Sequence, residues 1–444
     1  MANQNDFVVK YGLVVENTST IGSNSNLVTT NIVRTTAKPS IDINFISSIS
    51  LDSRFIFTRA SGATYVGKDG IVKYAGANRP RFDYDPITGK CKGLLIEEQR
   101  TNLITNSNPA TLVSPGATAT QNAGVAPDGN ASAPLITVLA SGSNNAHWGA
   151  NGTSITTSNI YIASIFVKPN TGNPWISFIV YTSPSTNGAR AWFNVSSGTI
   201  GSYQANGAAT NVSAVIQPYP NGWYRCIVSA QPNGTETVLN WEIDLTSGNG
   251  TYQQNATAGQ SMFFWGAQLE IAGAVNTVTS YIPTYGSQAT RIYENAYFTA
   301  DLNTYNPTQG TLYLDFDAIN QNASFVAYIP TLGEVATARA PTIMGTWNGA
   351  IEVNATNNSA NISTGAKYAI AYSATQRNMS LSGGAVSSGA TGFNFGYTGS
   401  IAGPYQIYFG SGGNNGRVIN GHIRRFTYWP ILLPNAQLQQ LTVI

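Results

Sequence analysis

Cleaving a glycosidic bond takes two carboxylates placed across that bond, so the acidic residues of these 444 positions are where catalytic chemistry would show first. Glu97 and Glu98 are adjacent. On a strand they point to opposite faces and cannot flank one bond. Asp315 and Asp317 share a face, but two carboxylates on a solvated strand face are ordinary surface. Trp241-Glu242-Ile243-Asp244 begins a Glu-x-Asp-x-x-Glu pattern whose third carboxylate would fall at 247, and that position is Ser247. Nucleophilic catalysis needs a base beside the nucleophile, and the 2 histidines are His147 and His422. Neither stands near a Gly-x-Ser-x-Gly elbow. His422 opens an apolar strand and reads as a hydrogen-bonded structural residue, while His147, in a Gly/Asn/Ser-rich stretch, reads as a loop residue. No catalytic residue is assigned, and the chain is not expected to be an enzyme.

Binding chemistry is the alternative. Sugar rings stack on exposed aromatic faces, and side-chain amides nearby supply hydrogen bonds. Trp148, beside His147, and Trp347, beside Asn348, stand in turn-rich contexts and are the candidate carbohydrate-binding residues. Trp223, Trp265 and Trp429 are embedded in alternating strands and are expected in the core. Calcium suits the abundant oxygen ligands. The run Asp83-Tyr84-Asp85-Pro86-Ile87-Thr88-Gly89 is an oxygen-rich loop, although a Pro-containing turn accounts for it equally well. No cofactor is expected, and a structural calcium stays open. Cys91 and Cys226 lie far apart and read as small apolar residues.

The elements that position these residues follow from composition and pattern. Charged residues make up 9% of the chain and the net charge is +2, which gives no basic field for nucleic acid. A hydrophobic fraction of 42% with 23 Tyr excludes a disordered chain. The opening MANQNDFVVK lacks a secretory signal, so synthesis in a cytoplasm without export by that route is expected. No apolar run approaches the roughly 18 residues of a membrane helix, and membrane insertion is not expected. Period-two alternation recurs throughout, so the class is all-β, with sandwiches reversed at Asn-Gly turns at 151, 206, 221, 233, 348 and 420. Trp265, Ala267 and Leu269 are expected on one strand face and Gln268 and Glu270 on the other; Leu312, Leu314 and Phe316 repeat the pattern.

Composition shifts divide the chain at 1–50, 51–108, 109–300 and 301–444. The first segment, with Phe7, Val8, Val9, Tyr11, Leu13 and Val14 in its one strand-like run, reads as an arm that attaches and oligomerises. The second is dense in charge and reads as a compact connector. Two sandwiches follow, the boundary falling after Ser280-Tyr281-Ile282-Pro283-Thr284. Near the end, Asn435 is expected to cap a short helix presenting Leu438 and Leu441, which plugs one end of the last sandwich.

In the connector, Phe57 to Val66, Asn78-Arg79-Pro80-Arg81-Phe82-Asp83-Tyr84-Asp85-Pro86, Gly93 to Glu97 and Gln99-Arg100-Thr101-Asn102-Leu103 stand in order. The series resembles a module of bacteriophage and prophage tail and fibre proteins that precedes a carbohydrate-binding-like sandwich. Pro127-Asp128-Gly129, Gly222-Trp223-Tyr224-Arg225 and Thr279 to Thr284 with Thr290-Arg291 are similar to landmarks of such a jelly roll. Gly310 to Tyr313 through Gly421 to Trp429 resembles a concanavalin-like, laminin-G-type sandwich; Ile431, Leu432 and Leu433 replace its usual basic residues, which suggests a subunit contact. The first fifty residues resemble fibre arms of cyanophage-like viruses. The resemblance implies a virion structural protein, a tail fibre or receptor-binding homotrimer held to other virion proteins by its arm and adhering to host surface glycans. A polysaccharide-depolymerising tailspike and a capsid- or neck-attached fibre or decoration protein are the alternatives.

Overall fold

Alternation builds every sheet. In Asn295–Ala300, Ala296, Phe298 and Ala300 are buried while Asn295, Tyr297 and Thr299 face outward, because successive side chains leave a strand on opposite sides. The computed structural model describes residues 37–47, 51–108, 115–142, 147–184, 186–252, 255–329, 333–347, 352–373, 375–389, 405–412 and 417–444. The chain divides into units 1–34 and 35–444, and all described residues belong to the second. The arm residues Phe7, Val8, Val9, Tyr11, Leu13 and Val14 lie outside the described residues.

The class is all-β. Two sandwiches form, one contiguous in sequence and one split. The contiguous, or inserted, sandwich faces a five-stranded sheet (His147–Ser154, Val238–Thr246, Trp175–Thr182, Gly188–Asn194, Thr199–Asn206) against a six-stranded sheet. The latter orders Thr210–Tyr219, Trp223–Gln231, Tyr161–Thr171, Ser261–Ile271, Ala133–Val138 and Ala117–Gly124. Between them lie Ile165, Phe178, Phe193, Trp241 and Leu269. Asn221 at φ 61° and Gly222 at φ 78° make the tight reversal between Thr210–Tyr219 and Trp223–Gln231 that an Asn-Gly pair favours.

The split sandwich draws strands from both sides of that insertion. One of its sheets aligns Ser387–Ser388, Arg377–Leu381, Ala366–Ser373, Gln309–Phe316 and Gly421–Trp429 with Cys91–Ile96 and Phe82–Tyr84, and Ile41–Asn44 also pairs with Gly421–Trp429. The facing sheet aligns Phe55–Thr58, Asn295–Ala300, Tyr405–Phe409, Ser324–Ile329, Gly333–Ala340, Ile343–Trp347 and Glu352–Thr356. The sheets thus join strands from both sides of the boundaries drawn at 50/51, 108/109 and 300/301. Ile41, Ile43 and Phe45, which the sequence assigns to an arm with little core, are buried beside Leu94, Phe298 and Phe426. The insertion is tied at its neck, where Arg100–Asn102 pairs antiparallel with Ala289–Arg291, so the chain enters and leaves at adjacent points.

Four expectations change. Trp265 does not share a face with Ala267 and Leu269: Gly266 at φ 67° bulges the strand and flips its parity, sending Trp265 outward and leaving Ala267 and Leu269 in the core. Gln268 and Glu270 are themselves fully buried. In the helix Asn435–Leu441 the N-cap position is held by Pro434, not Asn435, without a side-chain cap, and the helix lies on the outer face of the eight-stranded sheet against Tyr313, Ala369 and Ala371. Leu433 and Leu432 of the apolar run after Trp429 pack into that same cluster and help seat the helix, while Ile431 stays exposed.

Candidate functional site

The charged connector residues are turned inward. Arg59 donates to Glu294 at 3.0 Å, Arg81 contacts Glu97 at 2.7 Å and Glu294 at 2.5 Å, and Arg291 contacts Glu97 at 3.2 Å, all with side chains at most 8% exposed. Glu97 also accepts from the Ser280 backbone N–H at 2.8 Å and its hydroxyl at 2.7 Å. Burial works against the Glu97 carboxylate, but Arg291 and Arg81 hold it well below the usual range. The segment 279–284 is therefore a buried strap joining the sandwiches through this junction: Thr279 donates to Glu270, and Ile282 N–H donates to Gln268 at 2.6 Å.

Beside the junction, His422 lies between two carboxylates, Nδ1 at 3.0 Å from Asp317 and Nε2 at 3.1 Å from Asp83. Lys92 reaches Asp83 at 3.1 Å, and Arg424 reaches Asp317 at 2.7 Å and Asp315 at 2.6 Å. Asp317 is thus buried in an ion cluster rather than lying on ordinary surface. Asp85 accepts from the Ile87 and Thr88 N–H groups at 3.1 and 2.7 Å, so the 83–89 run closes as a turn on its own carboxylate. Among the described residues, no group of three or more His, Cys, Asp or Glu is placed to hold a metal ion.

The sugar-binding candidates fall on different sandwiches. His147 and Trp148 begin the strand His147–Ser154, opposite Asp244 and Ile243, so His147 is a strand residue rather than a loop residue. Trp347 ends Ile343–Trp347 in the split sandwich, opposite Glu334 and Glu352, and Asn348 lies outside the described residues. The fold places Trp148 and Trp347 on separate sandwiches.

What it does bring together is a cleft of about 800 Å³ between the hairpin Ala63–Val66/Val72–Ala75 and the inserted sandwich. Tyr74 and Tyr285 stand in its walls 66% and 88% exposed, a large apolar surface to leave in water. Trp265 and Tyr281 floor it, ring centroids 4.6 Å apart, backed by Phe166. Asp128 and Asn130 supply polar groups; Asn130 donates to Asp128 through its backbone N–H at 3.0 Å and its amide at 2.9 Å. Burial, then the neighbouring Tyr285 and the Asp128 charge, push the Tyr281 hydroxyl above its usual range.

Backbone contacts fix both walls. Val66 N–H donates to Asp83 at 2.8 Å, Thr64 Oγ1 to the Tyr281 carbonyl at 2.5 Å and Val72 N–H to the Pro127 carbonyl at 2.9 Å. Gly70, at φ 76°, makes the hairpin turn where a Cβ would sit 2.5 Å from the Pro86 carbonyl. Gly62 leaves room for Tyr74: a Cβ there would lie 1.7 Å from the phenol oxygen. Tyr285 is held by a bridge to Asn106 and by Gly286 N–H donating to the Thr105 carbonyl at 2.7 Å.

Two other concavities are walled by groups already engaged with one another. One of about 190 Å³ lies at the junction beside Glu97 and His422, and one of about 680 Å³ lies beside Asp315, Asp317 and Arg424. A cross-strand row, Ile56–Tyr297–Tyr408–Tyr328, also lines the outer face of the seven-stranded sheet, with rings 5.1 and 6.2 Å apart. Sequence reasoning passed over both tyrosine sets because it tested tryptophans. Tyr285, between Thr284 and Gly286 just after Pro283, carried the same signal of an aromatic in a turn.

No protein-family model matches the chain, and no curated protein matches it. Among solved structures, the chain is similar to the Ruminococcus gnavus IT-sialidase CBM40 bound to α2,3 sialyllactose. The match has 15% identity and a TM-score of 0.26, and covers 33% of this chain and 92% of that one. A likeness of that extent leaves the chain's own geometry as the guide to its function. No helix among the described residues is long and apolar enough to cross a membrane.

Proposed function

We propose that this chain is a non-enzymatic glycan-binding structural protein of a tailed-phage virion, a fibre or receptor-binding protein, and that the tyrosine-walled cleft is where it holds a saccharide. The observation that carries the reading is the pair Tyr74 and Tyr285, exposed at 66% and 88% on a concave wall with Asp128 and Asn130 between strands that fix their position. Phenol rings offer flat apolar faces for stacking at low entropic cost, and the carboxylate and amide accept and donate to hydroxyls. The virion assignment rests on the ordered series from Phe57 to Leu103. A homotrimer is part of the reading, since repeated weak sites gain avidity through effective concentration.

The test is binding of the purified full chain to arrayed bacterial envelope polysaccharides, with release of reducing ends assayed in parallel. Binding without release, weakened at least about tenfold in a Tyr74→Ala/Tyr285→Ala double variant of unchanged melting temperature, supports the reading. Release of reducing ends would replace it with a depolymerising tailspike. Light scattering giving a monomer mass would remove the trimer, and immunogold label away from the tail would move the protein to capsid or neck.

A further inference from the structure

We infer that the cleft selects neutral, hydroxyl-rich saccharides and rejects acidic ones, with Asp128 as the residue that discriminates; this rests on the glycan-binding reading above. Two charged groups line the cleft, Lys73 and Asp128. The Lys73 ammonium is already engaged, 2.9 Å from the Asp69 carboxylate, with both side chains nearly half exposed. Asp128 makes no ion pair among the described residues. Its two oxygens each accept once, both times from the uncharged Asn130, at 3.0 and 2.9 Å. An ionised carboxylate has about four lone-pair sites, so acceptor capacity remains on both oxygens.

A half-buried carboxylate with spare lone pairs beside aromatic rings asks for donors. Two neighbouring hydroxyls of a pyranose can each donate to one oxygen while the ring lies against a tyrosine face. A uronic or otherwise acidic sugar instead brings a second negative charge against Asp128, where the apolar floor of Trp265 and Tyr281 weakens solvent screening. Asn130 does not neutralise that repulsion, because it is uncharged and two of its three N–H groups already point at Asp128.

The experiment is calorimetric titration of the full chain with matched oligosaccharide pairs that differ only in a C6 hydroxymethyl or C6 carboxylate, such as galacto-oligomers and oligogalacturonates, the pair being chosen from the array hits. The neutral member should bind at least about tenfold more tightly, with the gap narrowing as salt screens the carboxylates. Asp128→Asn, which keeps the shape of the side chain, should shrink the gap to within about threefold. Equal or tighter binding of the acidic member to the unaltered chain, or a gap that Asp128→Asn leaves intact, overturns the inference while the glycan-binding reading stands. Failure of every array member to bind overturns both. The salt dependence is read on the unaltered chain, so the inference stays falsifiable even where the variant fails to fold.

Discussion

His422 is the residue whose charge state the fold controls most directly. Burial disfavours the imidazolium, but Asp317 and Asp83 override burial and hold the proton on more firmly than in an unfolded chain. Burial likewise works against the Asp83 and Asp317 carboxylates, and His422, with Lys92 and Arg424 around it, holds both below the usual carboxylate range. The histidine's contribution to stability is complete below its unfolded value of about 6.5 and is lost as pH rises through its higher folded value. The aspartates' contribution is complete above about pH 4 and is lost as pH falls. The urea midpoint is therefore expected to peak between roughly pH 4 and 6.5, and His422→Gln to flatten the alkaline limb while costing about 3–5 kcal/mol. A midpoint that keeps rising above pH 7 would contradict this assignment. At Gly62 the expectation is the reverse: Gly62→Ala should displace the Tyr74 ring, a movable group at the surface, and so weaken saccharide binding with little change in melting temperature. The strand setting and structural role of His422 were legible in the sequence; its partners were not, because Asp83 and Asp317 stand 339 and 105 positions away.

At the scale of elements, alternation read from the sequence holds wherever a strand is regular and fails where the backbone bulges. Leu312, Leu314 and Phe316 are buried together as the period predicts. Trp265 departs because Gly266 adopts a left-handed conformation available to it at no steric cost, and one inserted residue moves every side chain before it to the other face. Gly266→Val should strain that bulge and disturb the Trp265–Tyr281 contact at the floor of the cleft, which intrinsic tryptophan fluorescence would report alongside a loss of a few kcal/mol in denaturant stability. The strand Ile41–Asn44 yields a sharper expectation. Fully burying an apolar side chain contributes about 1.5–3 kcal/mol, so Ile41, Ile43 and Phe45 together rival the total stability of a domain, about 5–15 kcal/mol. Truncation before Thr35 should leave cooperative unfolding intact, whereas truncation before Leu51 should abolish it for the split sandwich. Differential scanning calorimetry of the two truncated chains distinguishes them.

For the molecule as a whole, the sequential order of segments is not the order of folding units. A fragment 301–444 lacks Ile41–Asn44, Phe55–Thr58, Cys91–Ile96 and Asn295–Ala300. It is expected to be largely unfolded by circular dichroism, whereas the contiguous inserted sandwich, tied at Arg100–Asn102 and Ala289–Arg291, should fold better by itself. The sequence by itself determined the all-β class, because period-two patterning is local and each strand carries its own copy of it. It also showed the density of charge between Phe57 and Leu103. Only the tertiary structure decided where those charges go. Arg59, Arg81 and Glu97, read only as part of a charge-dense connector, form a buried ionic junction, because their compensating partners Ser280, Arg291 and Glu294 return from far along the chain. Burial of a charge is set by where its counter-charge comes to rest, and no local pattern encodes that. The same holds for the cleft, whose two tyrosines are separated by the whole of the inserted sandwich and meet because its entry and exit strands are paired.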